Sequence, residues 1–332
     1  MTKKISIIGA GSWGLALGLL LNEKGNDITL WCYQEEEKDN ILMHRENKRC
    51  LPGIKIPLEM TVTSSMKEAV EGKDILVIAV PSNAIRATMR HIKPHIEADT
   101  IIVNVSKGIE ENTLLRLSQV ISSEVENKTV ILSGPSHAEE VARHIPTTVV
   151  VSSTCMEAAT LIQDVFMTDY FRVYTNSDII GVELGGALKN VIAIAAGAIE
   201  GMGCGDNTKA ALMTRGIAEM SRLGVAMGGD VNTFSGLSGI GDLIVTCTSG
   251  HSRNRRAGEL IGQGYSLEQA IKKVNMVVEG VPSTKGAYDL MKEYNIEMPI
   301  ITAIYKTLFE NKPVHETIRD LMIRDKKMES FE

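Results

Sequence analysis

The first half of the chain alternates short apolar runs with helical patterns, and this alternation restricts the fold more than any other feature. The runs are rich in Val and Ile and lie at residues 5–8, 28–32, 75–80, 100–105, 129–132 and 147–152. Apolar runs of this kind are typical of strands buried on both faces. Helical patterns separate several of them, at residues 15–24, 84–92 and 114–124. The alternation predicts an α/β fold with a doubly wound parallel sheet.

The pattern changes near residue 178, after which strand-like runs are almost absent. The helical patterns of this half lie at residues 182–199, 209–223, 256–261, 267–273, 283–294 and 300–311. We therefore expect two domains, residues 1–178 with the sheet and residues 179–332 all helical. No Pro-rich or Ser-rich linker separates them, so we expect the domains to pack directly on each other.

Composition excludes several classes of protein. Of the 332 residues, 44% are hydrophobic and 23% are charged, as in ordinary globular proteins and unlike disordered chains. The formal net charge of −6 gives no overall attraction to nucleic acid or to anionic membranes. A site for an anionic ligand must therefore be a local concentration of positive charge.

Cysteine usage and the chain start favour a cytoplasmic location. The five cysteines, at positions 32, 50, 155, 204 and 247, show no C-x-x-C spacing and are expected to be free thiols. The first residues lead straight into a predicted strand, which leaves no room for a signal peptide. We expect no membrane span, because no apolar run reaches the required length of about 18 residues. The histidines show no metal spacing, so we predict no metal site.

A glycine motif lies between the first strand and the first helix. Residues Gly9, Gly11 and Gly14 fit the pattern G-x-G-x-x-G, with Ser12 and Trp13 inside it. The first glycine permits a tight turn, the second lets a pyrophosphate approach the backbone, and the third allows close packing of helix on strand. The free N–H groups at the helix start would bind phosphates. A glycine-rich turn without a ligand is the alternative.

The end of the second strand bears on cofactor choice. An acidic residue is expected there to hold a ribose hydroxyl, and the sequence continues through Tyr33 and Gln34 to three glutamates at 35–37. No arginine is present to bind a 2′-phosphate, so the residues favour NAD over NADP. The alternative is that the glutamates only begin the next helix.

Three further loops follow predicted strands, where open parallel sheets bind ligands. The three loops are residues 80–83, 106–108 and 133–136. Lys107 follows a buried strand and precedes a glycine, which favours contact with a ligand over a solvated surface position. Gly134 and Ser136 offer a backbone N–H and a hydroxyl to a small polar substrate. A simple turn with Ser136 as helix N-cap is the alternative.

One lysine stands out in the helical half. Lys189 lies on an apolar stripe with Ile192, Ala193 and Ala196, so it either snorkels outward or is buried for chemistry. Burial would lower its pKa towards neutrality and allow proton transfer. Gly185 and the glycine after it lie about one turn away, where they would let a ligand approach.

Positive charge is concentrated near residue 253. Three arginines, at 253, 255 and 256, follow Ser252 and surround Asn254, and such a group can bind a phosphate. A solvated basic turn is the alternative. Asp242 would position either Lys189 or a substrate hydroxyl, although a lone aspartate is more often a helix cap.

Taken together, these segments resemble bacterial-type NAD(P)-dependent glycerol-3-phosphate dehydrogenase. The resemblance runs in the family's order from residue 5 to about 285, over residues 9–14, 51–53, 80–83, 106–110, 133–139, 181–190, 201–207, 236–242, 252–258 and 278–281. The chain departs from the family's common pattern at Leu15, at Tyr33 and Gln34, and at Cys50. The departure at Tyr33 and Gln34 bears on the choice between NAD and NADP.

The resemblance implies a Rossmann-like domain followed by a helical domain, and it implies functional residues. Those implied to bind NAD(H) or NADP(H) are Ser12, Trp13, Tyr33, Lys107, Ala138, Arg253, Val278 and Glu279. Those implied to bind the substrate are Lys107, Gly134, Ser136, Lys189, Asp242, Ser252, Arg253 and Asn254. Lys189 would be the general acid/base.

The implied reaction is the interconversion of dihydroxyacetone phosphate and sn-glycerol 3-phosphate, which supplies phospholipid synthesis. In this hypothesis the nicotinamide lies near Lys107 and Ser136, and the partner is a small phosphorylated substrate. Alternatives are a related two-domain reductase of 2-keto or 3-hydroxy acids and a non-catalytic dinucleotide sensor. A homodimer is left open.

Overall fold

A computed structural model describes residues 2–326, 328 and 329. The chain forms two compact units. The first contains the chain up to Ser106 together with Leu117–Ile179, and the second contains Lys107–Arg116 and the chain from Ile180 onward. The domain boundary at residue 178 stays a prediction. The structure groups the segment Lys107–Arg116 with the helical unit, whereas that boundary assigns it to the first domain.

The first unit is built on an eight-stranded sheet of order β3-β2-β1-β4-β5-β6-β7-β8. Its strands are β1 (Lys4–Ile8), β2 (Asp27–Trp31), β3 (Thr61–Thr63), β4 (Ile75–Ile78), β5 (Ile101–Asn104), β6 (Thr129–Ser133), β7 (Thr147–Ser152) and β8 (Phe171–Asn176). Its helices are α1 (Ser12–Glu23), α2 (Glu35–His44), α3 (Met66–Val70), α4 (Ile85–Ile92), α5 (Leu117–Glu124), α6 (Ala138–Val141) and α7 (Met156–Phe166).

The predicted doubly wound sheet is confirmed, with one exception to its parallel direction. All neighbouring strands pair in parallel except β6 and β7, which are antiparallel. The reason lies in the connection between them. Between these strands, residues 134–146 include only the 4-residue helix α6, which is too short to carry the chain back along the sheet for a parallel pairing. The longer helix α7, of 11 residues, returns the chain so that β8 is parallel to β7.

The order of the strands places the glycine motif at the point where the winding reverses. The chain winds from β1 through β2 to β3 on one side, and then continues with β4 on the other side of β1. Open α/β sheets bind ligands at the carboxyl ends of the strands at such a reversal. The loop that follows β1 is Gly9–Gly11, and α1 begins at Ser12.

The second unit is helical in its described residues. Its helices are α8 (Ile179–Gly201), α9 (Asp206–Ala226), α10 (Val231–Phe234), α11 (Asp242–Thr248), α12 (Arg253–Gly262), α13 (Leu267–Val274), α14 (Gly280–Glu293), α15 (Pro299–Phe309) and α16 (Val314–Met322). A short π-helical turn, Leu237–Gly241, precedes α11.

Helix α8 forms the core of this unit and corrects one sequence expectation. By length and composition it could cross a membrane, since it has 23 residues and a window of mean hydropathy 1.6. The expectation that no apolar run reaches that length was therefore wrong. However, 89% of that window is buried within the protein, where its side chains pack against other helices of the unit.

Glycines let α8 and α12 approach backbone to backbone. A Cβ atom on Gly197 would lie 1.9 Å from the carbonyl oxygen of Arg255, and one on Gly258 would lie 2.0 Å from that of Ile194. No side chain fits at such separations. The close contact fixes the start of α12, and with it Arg253, relative to the helix that carries Lys189.

The cysteines are unbonded, as their spacing predicted. None of the five, all of them within the described chain, forms a disulfide. Burial raises the pKa of the Cys32 and Cys247 thiols to about 12. These two thiols are therefore protonated near neutral pH.

Candidate active site

Backbone conformation and packing require a glycine at two positions of the motif but not at the third. Gly9 has φ of +120°, and a Cβ there would lie 2.6 Å from the carbonyl oxygen of Ala79. A Cβ on Gly14 would lie 2.1 Å from the carbonyl oxygen of Gly9. At Gly11 the backbone is ordinary (φ −69°), and a Cβ would meet no heavy atom within 4 Å. The lack of a side chain at Gly11 is thus explained by neither strain nor packing, and it fits the close approach of a dinucleotide.

The residues around the motif hold its backbone. The Ser12 hydroxyl donates to the carbonyl oxygen of Cys50 at 2.6 Å. The buried Asn47 amide donates to the carbonyl oxygen of Ala10 at 3.0 Å. Sequence reasoning missed Asn47, because an asparagine 37 positions away in the chain carries no local signal. Trp13 is half-buried against the core of the unit.

The end of β2 presents one exposed ring. The Tyr33 side chain is 76% exposed, and its ring lies edge-on to that of Trp31 with centroids 6.0 Å apart. The glutamates that follow form the first turn of α2, where Glu35 pairs with Lys38. This position agrees with the alternative that the glutamates begin the next helix. The preference for NAD over NADP stays a prediction.

The loop after β6 is shaped by a glycine. Gly134 has φ of +130°, and a Cβ there would lie 3.1 Å from the Cα atom of Val149. The Ser136 hydroxyl donates to the carbonyl oxygen of Gly134 at 2.9 Å. The N-cap of α6 is His137, so the alternative of Ser136 as the cap is wrong. The predicted cofactor contact Ala138 is buried as the first residue of α6.

The second unit contains a buried cluster of two lysines on one aspartate. The Lys189 ammonium donates to Asp242 Oδ1 at 2.6 Å and to the Thr246 hydroxyl at 2.6 Å. The Lys107 ammonium donates to Asp242 Oδ2 at 2.5 Å. The side chain of Lys189 is 8% exposed and that of Asp242 is 1% exposed, so Lys189 does not snorkel to solvent. The structure therefore brings three predicted site residues together.

Thr246 is the member of this cluster that sequence reasoning missed. Its hydroxyl donates to the carbonyl oxygen of Asp242 at 2.6 Å and so directs a lone pair towards Lys189. It lies four residues after Asp242, one turn along α11. That i, i+4 spacing from a singled-out aspartate was the signal that could have identified it.

The charged groups of this cluster shift one another's pKa values. Burial lowers the pKa of the Lys189 ammonium to about 8, Asp242 opposes that shift, and the nearby positive charge of Lys107 adds to it. Although burial opposes ionisation of Asp242, the two lysines lower the pKa of its carboxyl group. Lys189 can therefore exchange a proton near neutral pH while Asp242 stays ionised.

The packing of α8 places Lys189 against Asp242. A Cβ on Gly185 would lie 2.5 Å from the carbonyl oxygen of Ser238 in the π-helical turn. Gly185 therefore makes room for protein backbone, and the expectation that it admits a ligand was wrong. The turn ends directly before Asp242, and π-helical turns are frequent at functional sites.

The arginine group does not act as three anion-binding side chains. Arg255 pairs with Glu200 at 2.8 Å and with Glu259 at 3.5 Å, so it is engaged within the protein. Arg253, at the first turn of α12, is half-buried, and its side chain forms no ion pair or hydrogen bond with the described residues 2–326. Ser252 is the N-cap, and its hydroxyl accepts the Arg255 amide N–H at 3.2 Å. Arg256, in the same turn, is exposed. Arg253 and Arg256 therefore remain for an anion, and Arg253 lies at the helix N-terminus.

Asn254 connects three helices through hydrogen bonds that the sequence did not predict. Its side-chain amide donates to Asn190 Oδ1 at 2.9 Å, and its oxygen accepts the Gly280 amide N–H at 2.8 Å. It thereby joins α8, α12 and the start of α14. The predicted cofactor residues directly before α14 are Val278, which is buried, and Glu279, which is half-buried.

The spacing of the histidines predicted no metal site. Within the described residues, no group of three or more His, Cys, Asp or Glu side chains comes together as a metal site.

Comparisons with known proteins cover both units. Residues 4–159 match the family model for the NAD-dependent glycerol-3-phosphate dehydrogenase N-terminus, and residues 178–319 match that for its C-terminus. The chain is 55% identical over 329 residues to glycerol-3-phosphate dehydrogenase [NAD(P)+] of Fusobacterium nucleatum, covering 98% of each chain. It is 51% identical over 331 residues to the Bacillus subtilis protein of the same name, covering 98% of this chain and 96% of the relative.

A solved structure of a glycerol-3-phosphate dehydrogenase has a closely similar fold. The crystal structure of glycerol-3-phosphate dehydrogenase from Coxiella burnetii has a TM-score of 0.94 and 36% identity, and the match covers 97% of this chain and 99% of that one. The resemblance seen in the sequence is thereby confirmed. The chain belongs to the NAD-dependent glycerol-3-phosphate dehydrogenase family.

Proposed function

We propose that this protein reduces dihydroxyacetone phosphate to sn-glycerol 3-phosphate with NADH or NADPH, and catalyses the reverse oxidation, with Lys189 as general acid/base. The observation that carries the proposal is the buried Lys189 ammonium on Asp242, with its pKa lowered to about 8. Few surroundings keep an amine both buried and able to release its proton near neutral pH. Supply of glycerol 3-phosphate for phospholipid synthesis, in the cytoplasm, is part of the proposal. The unbonded cysteines support that location.

The residues of the first unit would hold the dinucleotide. The α1 N-terminus and the backbone at Gly11 fit its pyrophosphate, and the exposed Tyr33 ring offers a stacking surface. When bound, the reduced nicotinamide supplies the hydride for the ketone carbon. We assign Trp13, Lys107, Ala138, Arg253, Val278 and Glu279 to the same ligand on the family resemblance.

Lys189 would supply the proton. Addition of hydride to the C2 carbonyl carbon turns its oxygen into an alkoxide, and the protonated amine donates one proton to that oxygen. The positive charge also stabilises the alkoxide as it forms, which is usually the largest single contribution of such a site. In the reverse direction the neutral amine removes the alcohol proton. Asp242 and Thr246 orient the amine for both steps.

The substrate phosphate would bind at the start of α12. Arg253 can bind two phosphate oxygens at once, and the helix N-terminus adds N–H groups and a positive dipole. Ser252 and Asn254 lie on either side of Arg253 in the sequence. Lys107 adds a second cation beside the reacting end, and we assign Gly134 and Ser136 to substrate contacts on the family resemblance.

The test is consumption of NADH and of NADPH, measured separately, with dihydroxyacetone phosphate as the substrate. We expect steady-state turnover that disappears when unphosphorylated dihydroxyacetone replaces the substrate. Turnover of a 2-keto acid instead would favour the related reductase. Binding of NADH without any turnover would identify a dinucleotide sensor.

A further inference from the structure

One segment of the chain connects two elements of the first unit but belongs to the second. Strand β5 and helix α5 are both in the first unit, whereas the connection between them, Lys107–Arg116, is grouped with the helices. We call this segment the lysine loop. It carries Lys107, whose amine shares Asp242 with Lys189. The way the loop is held therefore decides whether the second positive charge stays in the cluster.

The lysine loop is closed at its base. Ile109 and Arg116 form an antiparallel bridge, and the Glu110 amide N–H donates to the carbonyl oxygen of Leu115 at 3.0 Å. Ile109 is buried, and a Cβ on Gly286 of α14 would lie 3.3 Å from its Cβ. Because Ile109 and Arg116 pair, we expect a displacement of Arg116 to move Ile109 and, with it, Lys107 two residues earlier.

A buried ion pair fastens this base to α8. The Arg116 guanidinium contacts the Glu183 carboxylate, and these side chains are 12% and 5% exposed. Glu183 and Lys189 lie on the same helix, six positions apart. Helix α8 thus holds the loop at one point and presents its lysine to Asp242 at another.

We propose that the Arg116–Glu183 pair is a positioning device that holds the Lys107 amine on Asp242 and thereby sets the charge beside Lys189. The proposal rests on the proposed function, in which Lys189 transfers the proton. Arg116 and Glu183 are therefore positioning residues. Their effect reaches the chemistry only through Lys107.

The groups that face Lys189 predict the direction of the effect. They are Asp242, the Lys107 ammonium, the Thr246 hydroxyl and the Cys247 thiol, which is protonated near neutral pH. Lys107 lowers the pKa of Lys189. If the loop shifts and carries Lys107 away, the pKa of Lys189 must rise, and a phosphorylated substrate loses a nearby cation.

The test compares the wild-type protein with the paired variant Arg116→Met/Glu183→Leu. Removing both charges avoids leaving one of them buried and unpaired, which by itself would destabilise the fold. We expect the alkaline limb of the rate of dihydroxyacetone phosphate reduction to move up by about half a unit to one unit of pH. We expect KM for this substrate to rise by about 3- to 10-fold, as for the weakening of one charged contact, with a smaller change in KM for NADH.

Two controls separate positioning from simple loss of stability. Glu111→Gln removes a partly exposed ion pair with Lys285, at 4.0 Å, from the same loop, and should leave the limb and KM unchanged. In a Lys107→Met background the paired variant should cause no further change in the pH limb or in KM, because the charge that the Arg116–Glu183 pair positions is already absent. A structural role would instead give the same loss in both backgrounds.

A second measurement does not depend on activity. The Lys107 amine should be methylated by formaldehyde and borohydride faster in the paired variant than in the wild type, as followed by mass spectrometry of the peptide. Unchanged methylation together with an unmoved pH limb overturns the positioning role. Wild-type protein without turnover overturns the proposed function and this inference with it. Wild-type turnover with an unaffected paired variant overturns the inference alone.

Discussion

Replacing Asp242 by Asn is predicted to slow reduction and spare oxidation. Asp242 accepts from Lys189 at 2.6 Å and from Lys107 at 2.5 Å, and its negative charge keeps the pKa of Lys189 as high as about 8. Without that charge, burial and Lys107 act unopposed. An opposite charge at such a distance shifts a pKa by about 1–3 units, so the pKa of Lys189 falls by that amount.

The size of the effect follows from the protonated fraction of Lys189. At pH 8 about half of the amine is protonated in the wild type, and a pKa lower by about 1–3 units leaves about 9% to 0.1%. Reduction of dihydroxyacetone phosphate, which needs the proton, should therefore slow by about 5- to 500-fold at this pH. Oxidation of glycerol 3-phosphate, which needs the neutral amine, should change by no more than about twofold through this cause.

The assay is the pH dependence of kcat in both directions, measured for the wild type, Asp242→Asn and the exposed control Asp169→Asn. The variant's alkaline limb for reduction should move to lower pH, and the control's limb should stay in place. A thermal melt of each protein separates loss of fold from loss of charge. An equal fall in both directions, or a limb that stays at the wild-type pH, would refute the reasoning.

Three further predictions concern packing, stability and cofactor binding. Gly258→Ala should destabilise the fold by about 1–3 kcal/mol, because its Cβ would lie 2.0 Å from a backbone oxygen of α8, whereas Gly250→Ala meets no atom within 4 Å and should leave the thermal midpoint unchanged. Burial raises the pKa of the Glu219 carboxyl group to about 7 from the value of 4.5 expected in the unfolded chain. The protonated carboxyl group therefore contributes its full stabilisation below pH 4.5, and this stabilisation is lost as the pH rises through 7. Against Glu219→Gln, the wild type should therefore lose up to about 3 kcal/mol of relative unfolding free energy between pH 5 and pH 8 in denaturant titrations, and a constant difference would contradict this. Gly11→Ala should raise the Kd for NADH without lowering the melting temperature, whereas Gly14→Ala should lower that temperature; equal melting losses would show that Gly11 serves packing.

The sheet could be predicted where its strands are apolar throughout. Each of the six apolar runs overlaps a strand, because these strands are buried almost throughout, as every residue of β4 and β6 is. Strand β8 was missed because only alternate residues at its start are buried, as expected at a sheet edge. Strand β3 was missed because it has 3 residues, too few to show a period. The antiparallel direction of β7 depends on the length of α6, which the sequence pattern did not reveal.

The cluster around Lys189 could be predicted in its members but not in its connections. An apolar stripe identified Lys189, and a position directly after a buried strand identified Lys107. Asp242 was considered as a partner of Lys189, of a substrate hydroxyl or as a helix cap, and the family resemblance then assigned all three residues to the site. Their shared contact depends on residues distant in sequence, since Lys107 lies 135 positions before Asp242. The Arg116–Glu183 pair gave no signal for the same reason. Local pattern also suggested three anion-binding arginines, because it cannot show that Arg255 is paired with Glu200.

The central claim is that the buried amine of Lys189 transfers the proton, and the turnover number of Lys189→Ala tests it most directly. With dihydroxyacetone phosphate and NADH both saturating, kcat should fall by about 10²–10⁴, while KM for NADH stays close to the wild-type value. A kcat within a few-fold of the wild type in a folded variant would contradict the account, since another group would then be supplying the proton.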